Sequence, residues 1–414
     1  MAYLRKSETL CDSGMFTVLA IAVLCFLCLV TRRYLLTSQS NPAVMHCSTA
    51  SIMRLLDPPG LSNGDLLAAR ALPNERLIRA FALTNAFVSC ETRVHTAFVG
   101  NAKALLRAAR ERGWSHFQNI TIQAVEAALH APSHHLDFDV FVQDVTLRVA
   151  LVGLLRVEGS VSELASDDIR VVTELITHLW SLSKKPDLIP EDLLPRLNHH
   201  LRRLLPDTEA FENPLDYVIP IWETLWRVVA TAIAHSHDNQ SALDAFAHLH
   251  ASVTQDQFKA FSGIAPSAEA IIMETMRLHP PSKHITRFTL SSSPLARLLP
   301  GSTQRFLSRH IGYPMKRECA DIGTLLRSNI WGSDANTFDP SRHHPSRLLP
   351  EQEATKLLVF GYGRNRCIAG SWAPMAAGVI TAAVLDRKED YKFVIGRQIG
   401  GREGWNGWLI VSQG

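Results

Sequence analysis

The sequence predicts a mainly α-helical α+β domain carried on one N-terminal transmembrane anchor. Three observations lead there: an apolar run near the N-terminus, apolar residues at helical spacing up to Pro281, and shorter Pro/Gly-broken segments beyond it that suit strands and loops. The run, Met15 to Val30, has only Thr17 as a polar interruption and leads into Arg32-Arg33. Its sixteen residues fall short of the ~20 of a comfortable span. Thr31 to Leu36 extends it if the arginines reach back to the interface. No Ala-x-Ala type site follows, which argues against a cleaved signal peptide. Arg5 and Lys6 balance Arg32 and Arg33, so charge does not fix the orientation. The expected organisation is a tail (1–14), an anchor (15–36), a polar connector (37–48) and one large domain (49–414).

Within that domain, Leu136 to Leu155 and Asp167 to Leu182 carry apolar residues at helical spacing and read as core helices. Pro266 to His279 reads as another helix, stopped by Pro280-Pro281. Glu274 and Arg277 lie three residues apart on it and share a face. Further on, Phe360-Gly361-Tyr362-Gly363-Arg364-Asn365-Arg366-Cys367 places one cysteine after a glycine-punctuated aromatic loop and before an apolar helical run. Peptide N–H groups at a helix start favour a thiolate. Gly361 and Gly363 permit positive φ and close approach of backbone to a flat cofactor, and Phe360 can shield the sulfur.

Composition narrows the classes. A chain of 414 residues, 46% hydrophobic and 20% charged, is long enough for a large core, and a net charge of +3 gives no argument for nucleic acid. The seven cysteines (Cys11, Cys25, Cys28, Cys47, Cys90, Cys319, Cys367) are odd in number, with no Cys-x-x-Cys outside the membrane run, which argues against a disulfide framework or zinc site. His134-His135, His199-His200 and His343-His344 lack a partner at i+4 and read as surface histidines.

The Cys367 loop resembles the haem-binding loop of the cytochrome P450 family. Glu274-Thr275-Met276-Arg277-Leu278-His279-Pro280-Pro281 resembles that family's Glu-x-x-Arg helix, and Phe338-Asp339-Pro340-Ser341-Arg342 its Phe-x-Pro-x-Arg segment. The three motifs stand in family order, with Glu274 and Cys367 separated by 93 positions. The resemblance is close from Asn213 to Leu385 and weak before it; Trp114 lacks the arginine four residues on that the family pairs with its tryptophan.

The resemblance implies a cytochrome P450 fold with haem b as cofactor and Cys367 as the axial ligand of its iron. It makes Glu274, Arg277 and Arg342 a structural cluster that pins the haem-binding loop. Tyr217 to Ala234 resembles the helix crossing the distal haem face, with Glu223 and Thr224 as the acid and alcohol that deliver protons. Pro220 there replaces the usual small-residue kink and frees a carbonyl for water. Asn365 stands where the family carries a propionate-binding arginine or histidine, which leaves Arg287, Arg364 and Arg366 as candidates, with Phe360 and Gly363 also against the cofactor. Ala369 replaces a common glycine, with Gly370 next to it.

The implied activity is a monooxygenase that hydroxylates or epoxidises an apolar small molecule, of the type found in fungal secondary metabolism. Its electrons would come from NADPH through NADPH-cytochrome P450 reductase. The implied location is the endoplasmic reticulum membrane, single-pass, with the domain in the cytosol and the sequons at Asn119 and Asn239 unmodified. Two other readings stand beside it: a reductase-independent isomerase or dehydratase of the same family, and a catalytically lapsed membrane haem-binding protein.

Overall fold

The computed structural model describes residues 43–130, 135–290, 315–402 and 404–413. The anchor expected at 15–36 lies outside them, as do Cys11, Cys25, Cys28 and His134. Among the described residues, no helix is long and apolar enough to cross a membrane. Two units make up the structure: a smaller one, 1–45 with Thr286–Cys319, and a larger one, His46–Ile285 with Ala320–Gly414.

In chain order the main helices are α1 (Thr49–Leu56), α2 (Thr92–Arg112), α3 (Trp114–Leu129), α4 (Phe138–Val149), α5 (Ser166–Ser183), α6 (Leu193–Leu204), α7 (Leu215–Ser236), α8 (Gln240–Ala251), α9 (Ala268–Leu278) and α10 (Ala373–Asp386). The helices expected at 136–155, 167–182, 217–234 and 266–279 correspond to α4, α5, α7 and α9. Strands are few. β1 (Val44–His46), β3 (His284–Leu290) and β4 (Met315–Asp321) form one sheet in the order β1-β4-β3. β2 (His135–Asp137), β5 (Tyr391–Val394) and β6 (Leu409–Ser412) form the other, antiparallel, with Leu136 opposite Ile410 and Phe393 opposite the same residue. The fold is mainly helical with small sheets, as its periodicity predicts.

Helix α10 is buried from Pro374 to Leu385 without a break, because its sequence is apolar all round and only a core position suits such a helix. It packs among α3, α7, α8 and α9, all contributing to one large apolar core. Trp114 of α3 stacks on Trp372, immediately before α10, with ring centroids 5.5 Å apart. Trp222 and Trp226, one turn apart on α7, stack at 6.2 Å. The Trp222 indole donates to Gln143 O and Thr146 Oγ1 of α4, both at 3.1 Å, so the buried N–H is satisfied. A second, smaller core joins Ile52, Leu55 and Leu56 of α1 to Leu325, Leu326, Trp331 and Leu358.

Pro220 lies inside α7 and, lacking an N–H, leaves the carbonyl of Asp216 without its helical donor. Asn85 Nδ2 donates to Asp216 O at 2.8 Å, while the Asp216 carboxylate accepts from the backbone N–H groups of Thr84 (2.9 Å) and Asn85 (3.1 Å). The proline has created a docking point for the 84–85 segment. Asn85→Ala would strip a buried carbonyl of its only side-chain donor and should cost about 1–3 kcal/mol of stability, read from the midpoint of denaturant unfolding.

Candidate active site

Around Cys367 the chain makes a tight loop between a single helical turn at Leu357–Phe360 and α10. Cys367 N–H donates to Phe360 O at 2.8 Å, closing the loop, and both glycines take left-handed φ, +76° at Gly361 and +66° at Gly363. At Gly363 a Cβ would stand 2.1 Å from Asp57 Oδ2, so no other residue fits there. That carboxylate, at the C-terminal end of α1, is the loop's anchor. It accepts from Arg364 N–H (3.1 Å), Nε (2.9 Å) and Nη2 (2.7 Å), while Arg364 Nη1 donates to Leu61 O at 2.9 Å. The side-chain bonds from Arg364 hold the Asp57 carboxyl below its usual range. Arg364 is therefore committed to α1.

Cys367 itself is exposed. The protein around it pushes the thiol up, against the Ala369 N–H and the Arg366 charge, which pull the other way. Exposure and desolvation together describe a sulfur open on one side and walled by protein on the others. A thiolate there needs a cation on the sulfur, and a coordinating metal removes the thiol proton outright. Arg366 is exposed; its backbone N–H donates to Gly363 O at 3.1 Å, while its side chain makes no ion pair or hydrogen bond with a described residue. Phe360 is half-buried and packs on the main core; a Cβ at Gly370 would meet its ring at 3.3 Å. An open sulfur carrying a backbone N–H, a neighbouring free arginine and a glycine-lined approach fit a haem-thiolate loop. The Asn365 amide does not add to it, since both polar atoms are buried and unpartnered rather than open.

Glu274 and Arg277 lie side by side on α9, 0% and 1% exposed. Arg277 Nε donates to Glu274 Oε2 at 2.7 Å and Nη2 to Oε1 at 2.8 Å, a bidentate fork. Its other N–H groups reach Leu326 O (2.7 Å), Ala335 O (2.7 Å) and Thr337 O (3.3 Å). Arg342 comes to the same place, but its Nη groups are spent on Asp334 (2.6 and 2.9 Å) and Trp331 O (3.1 Å). Its Nε stands 3.4 Å from Glu274 Oε1 as an ion pair without a hydrogen bond. His343 fills the gap: it is buried, and its Nε2 lies 3.0 Å from Glu274 Oε2. The surface reading of His343 is thus wrong, because Pro340 opens a short helical turn that carries Arg342 and His343 inward together. His135 and His199 are exposed, while His200 is half-buried with Nδ1 2.7 Å from Asp168 Oδ1.

Glu223, on α7, is buried and ion-paired through Oε1 to Arg402 and, at 3.3 Å, to Arg227. Its Oε2 is buried with no hydrogen-bond partner. Burial pushes the carboxyl up, against the charges of Arg402, Arg227 and Lys184. Arg402 and Arg76 sit over the Trp180 ring, at 4.6 and 4.9 Å from its centroid. Thr224 is half-buried and is not hydrogen-bonded to Glu223, since consecutive residues on a helix face apart. Arg287 belongs to the smaller unit, where it is largely buried and its Nη1 donates to Thr286 O at 2.9 Å. A separate cavity of about 460 Å³ lies at the end of α7, lined by His235, His237, His279 and Arg397. Two of these, His235 and His279, meet Nε2 to Nε2 at 3.1 Å, and burial lowers them to about 4 and about 3.

Burial alone would raise the Glu274 carboxyl, yet the hydrogen bonds from Arg277 and His343 hold it down at about 2. A depressed carboxylate contributes stability that is present above its unfolded pKa and is lost on acidification through the folded one. Stability should therefore fall between pH of about 4.5 and about 2. Glu274→Gln should remove that portion of the acid transition and cost about 3–5 kcal/mol at neutral pH by leaving Arg277 unpaired, both read by circular dichroism.

No protein-family model matches the chain. Over 122 residues it is 34% identical to benzoate 4-monooxygenase bphA of Aspergillus niger, a stretch covering 29% of this chain and 22% of that protein. Over 124 residues it is 34% identical to cytochrome P450 81D1 of Arabidopsis thaliana, covering 29% and 21%. The chain thus spans about a fifth of the length of these curated relatives. Solved structures match more widely. The cytochrome P450DA haem domain aligns at a TM-score of 0.63 over 91% of this chain and 88% of its own, with 11% identity. CYP154A1 from Streptomyces coelicolor A3(2) aligns at 0.55 over 89% and 91%, with 15% identity. The proteins this chain resembles in sequence over that stretch, and whose fold it has over most of its length, are the cytochrome P450s.

Proposed function

We propose that the chain is a haem-thiolate monooxygenase that hydroxylates or epoxidises an apolar small molecule, in secondary-metabolite biosynthesis. The observation that carries the reading is the open Cys367 sulfur on its glycine loop, beside an unpaired Arg366, in a chain with the P450 fold. Cys367 would hold haem b by its thiolate, with Arg366 on a propionate and Phe360 and Gly363 against the cofactor. Arg364 would act through Asp57, fixing the loop. The bound haem supplies oxygen activation, with the sulfur pushing electron density to favour O–O cleavage.

Glu223 carries the proton in this reading. Its Oε1 is fixed by arginines, so the unpartnered Oε2, on a carboxyl raised by burial, is the atom left to take and release one. Thr224 would pass the proton on by its hydroxyl. Electrons would come from NADPH through NADPH-cytochrome P450 reductase. The apolar run at 15–36 would anchor the chain in the endoplasmic reticulum membrane, with the rest in the cytosol.

The deciding test is the absorption spectrum of the reduced, carbon-monoxide-bound protein beside Cys367→Ala. The expected result is a strongly red-shifted Soret band that the variant lacks; a folded protein with no haem band, or a red-shifted band that survives the substitution, overturns the assignment. Glu223→Gln should lower product formed per NADPH consumed and slow product formation by up to ~10² to 10⁴ if Glu223 is the sole donor. Unchanged coupling removes it from the relay.

A further inference from the structure

We infer that His343 is a positioning residue: it, and not Arg342, is the hydrogen-bonded third partner of the Glu274–Arg277 pair, and it thereby fixes the segment that presents Cys367. The Glu274 carboxylate accepts two bonds from Arg277, one from Asp339 N–H at 3.0 Å and one from His343 Nε2 at 3.0 Å. Arg342 contributes charge from 3.4 Å, with its Nε unbonded and its forked Nη groups turned to Asp334. The two arginine-like duties are split. Arg342 fastens the 331–334 turn, and His343 supplies the donor to the carboxylate.

The tautomer follows from the same geometry. His343 Nδ1 is buried without a partner, so a proton on it would be an unsatisfied donor, whereas a proton on Nε2 points at the carboxylate. An imidazole carrying its proton on Nε2 is a single-donor group with a ring for packing, and Trp331 lies against that ring at 5.8 Å. Trp331 also takes the Arg277 guanidinium at 5.1 Å and belongs to the small core with Leu358. Leu358 is two residues before Phe360, whose carbonyl receives the Cys367 N–H. His343 and the loop thus both border the small core that contains Trp331 and Leu358. Its bearing on Cys367 rests on the haem-thiolate reading; its bearing on Glu274 does not.

The test compares His343→Gln with His343→Met in the full chain. The two side chains have similar length and flexibility, and only glutamine keeps an N–H able to reach Glu274. In haem-free protein, His343→Met should raise the unfolding equilibrium constant about 10- to 100-fold, the range for a hydrogen bond to a charged group, and His343→Gln should recover most of that. In haem-loaded protein, His343→Met should shift part of the reduced carbon-monoxide band from the thiolate position to that of a neutral thiol, and His343→Gln should restore it. Equal behaviour of the two variants, whether both match the parent or both are damaged alike, overturns the inference. If the parent takes up no haem, the haem-thiolate reading fails, and the unfolding comparison alone still decides the role of His343.

Discussion

One buried ion pair, Glu274 with Arg277, holds the region around the cysteine loop together. Neither residue reaches water, and either alone would be an uncompensated charge in the interior. Together they are saturated: the five N–H donors of Arg277 find two carboxylate oxygens and the carbonyls of Leu326, Ala335 and Thr337. The pair therefore organises a stretch of chain with little regular structure, by giving its carbonyls a donor that secondary structure would otherwise supply. Arg342 and His343 close the arrangement from the far side. Loops that would be soft elsewhere are held here by side-chain hydrogen bonds.

Helix α7 shows the same economy in a different form. A proline within a helix ordinarily costs a hydrogen bond and bends the axis. Here the freed carbonyl of Asp216 is the acceptor for Asn85, and the Asp216 carboxylate takes the backbone of the same segment. The first turns of α7 are thus defined by a loop more than a hundred residues earlier. One turn further on, Glu223 is drawn into a cluster of arginines with Oε1 fully engaged and Oε2 bare. The two oxygens of this buried carboxyl thus stand in unlike surroundings, one bound by arginines and one without a partner.

Much of this was legible in the sequence because it depends on residue types at short, fixed spacing. Glu274 and Arg277 are three apart on one helix, and the loop glycines stand next to the cysteine they present. The apolar periodicity of α4, α5 and α9 marked three core helices to within a few residues, and α7 was placed by family resemblance. What escaped depends on the meeting of distant segments. Arg402 joins Glu223 and Asp57 receives Arg364 across most of the chain, with no local pattern to announce either. His343 was hidden by its neighbour: two adjacent histidines read as a polar surface pair, while the turn after Pro340 puts the first inside and leaves His344 half-buried. Arg342 carried the expected charge to the expected place, but Asp334, eight residues earlier, competes for its fork and wins by bidentate geometry.

The bond between Arg364 and Asp57 joins residues 307 positions apart. A ribosome must deliver the chain as far as Arg364 before that contact forms, and contacts of such sequence separation come late and slowly in folding. The N-terminal helix α1 can thus be complete long before the element it serves exists. During synthesis Asp57 waits without its Arg364 partner, and the cysteine loop acquires this anchor only when the two distant segments find each other. The shape of the cysteine loop is on this account a late product of folding, set by a partner made some three hundred residues earlier.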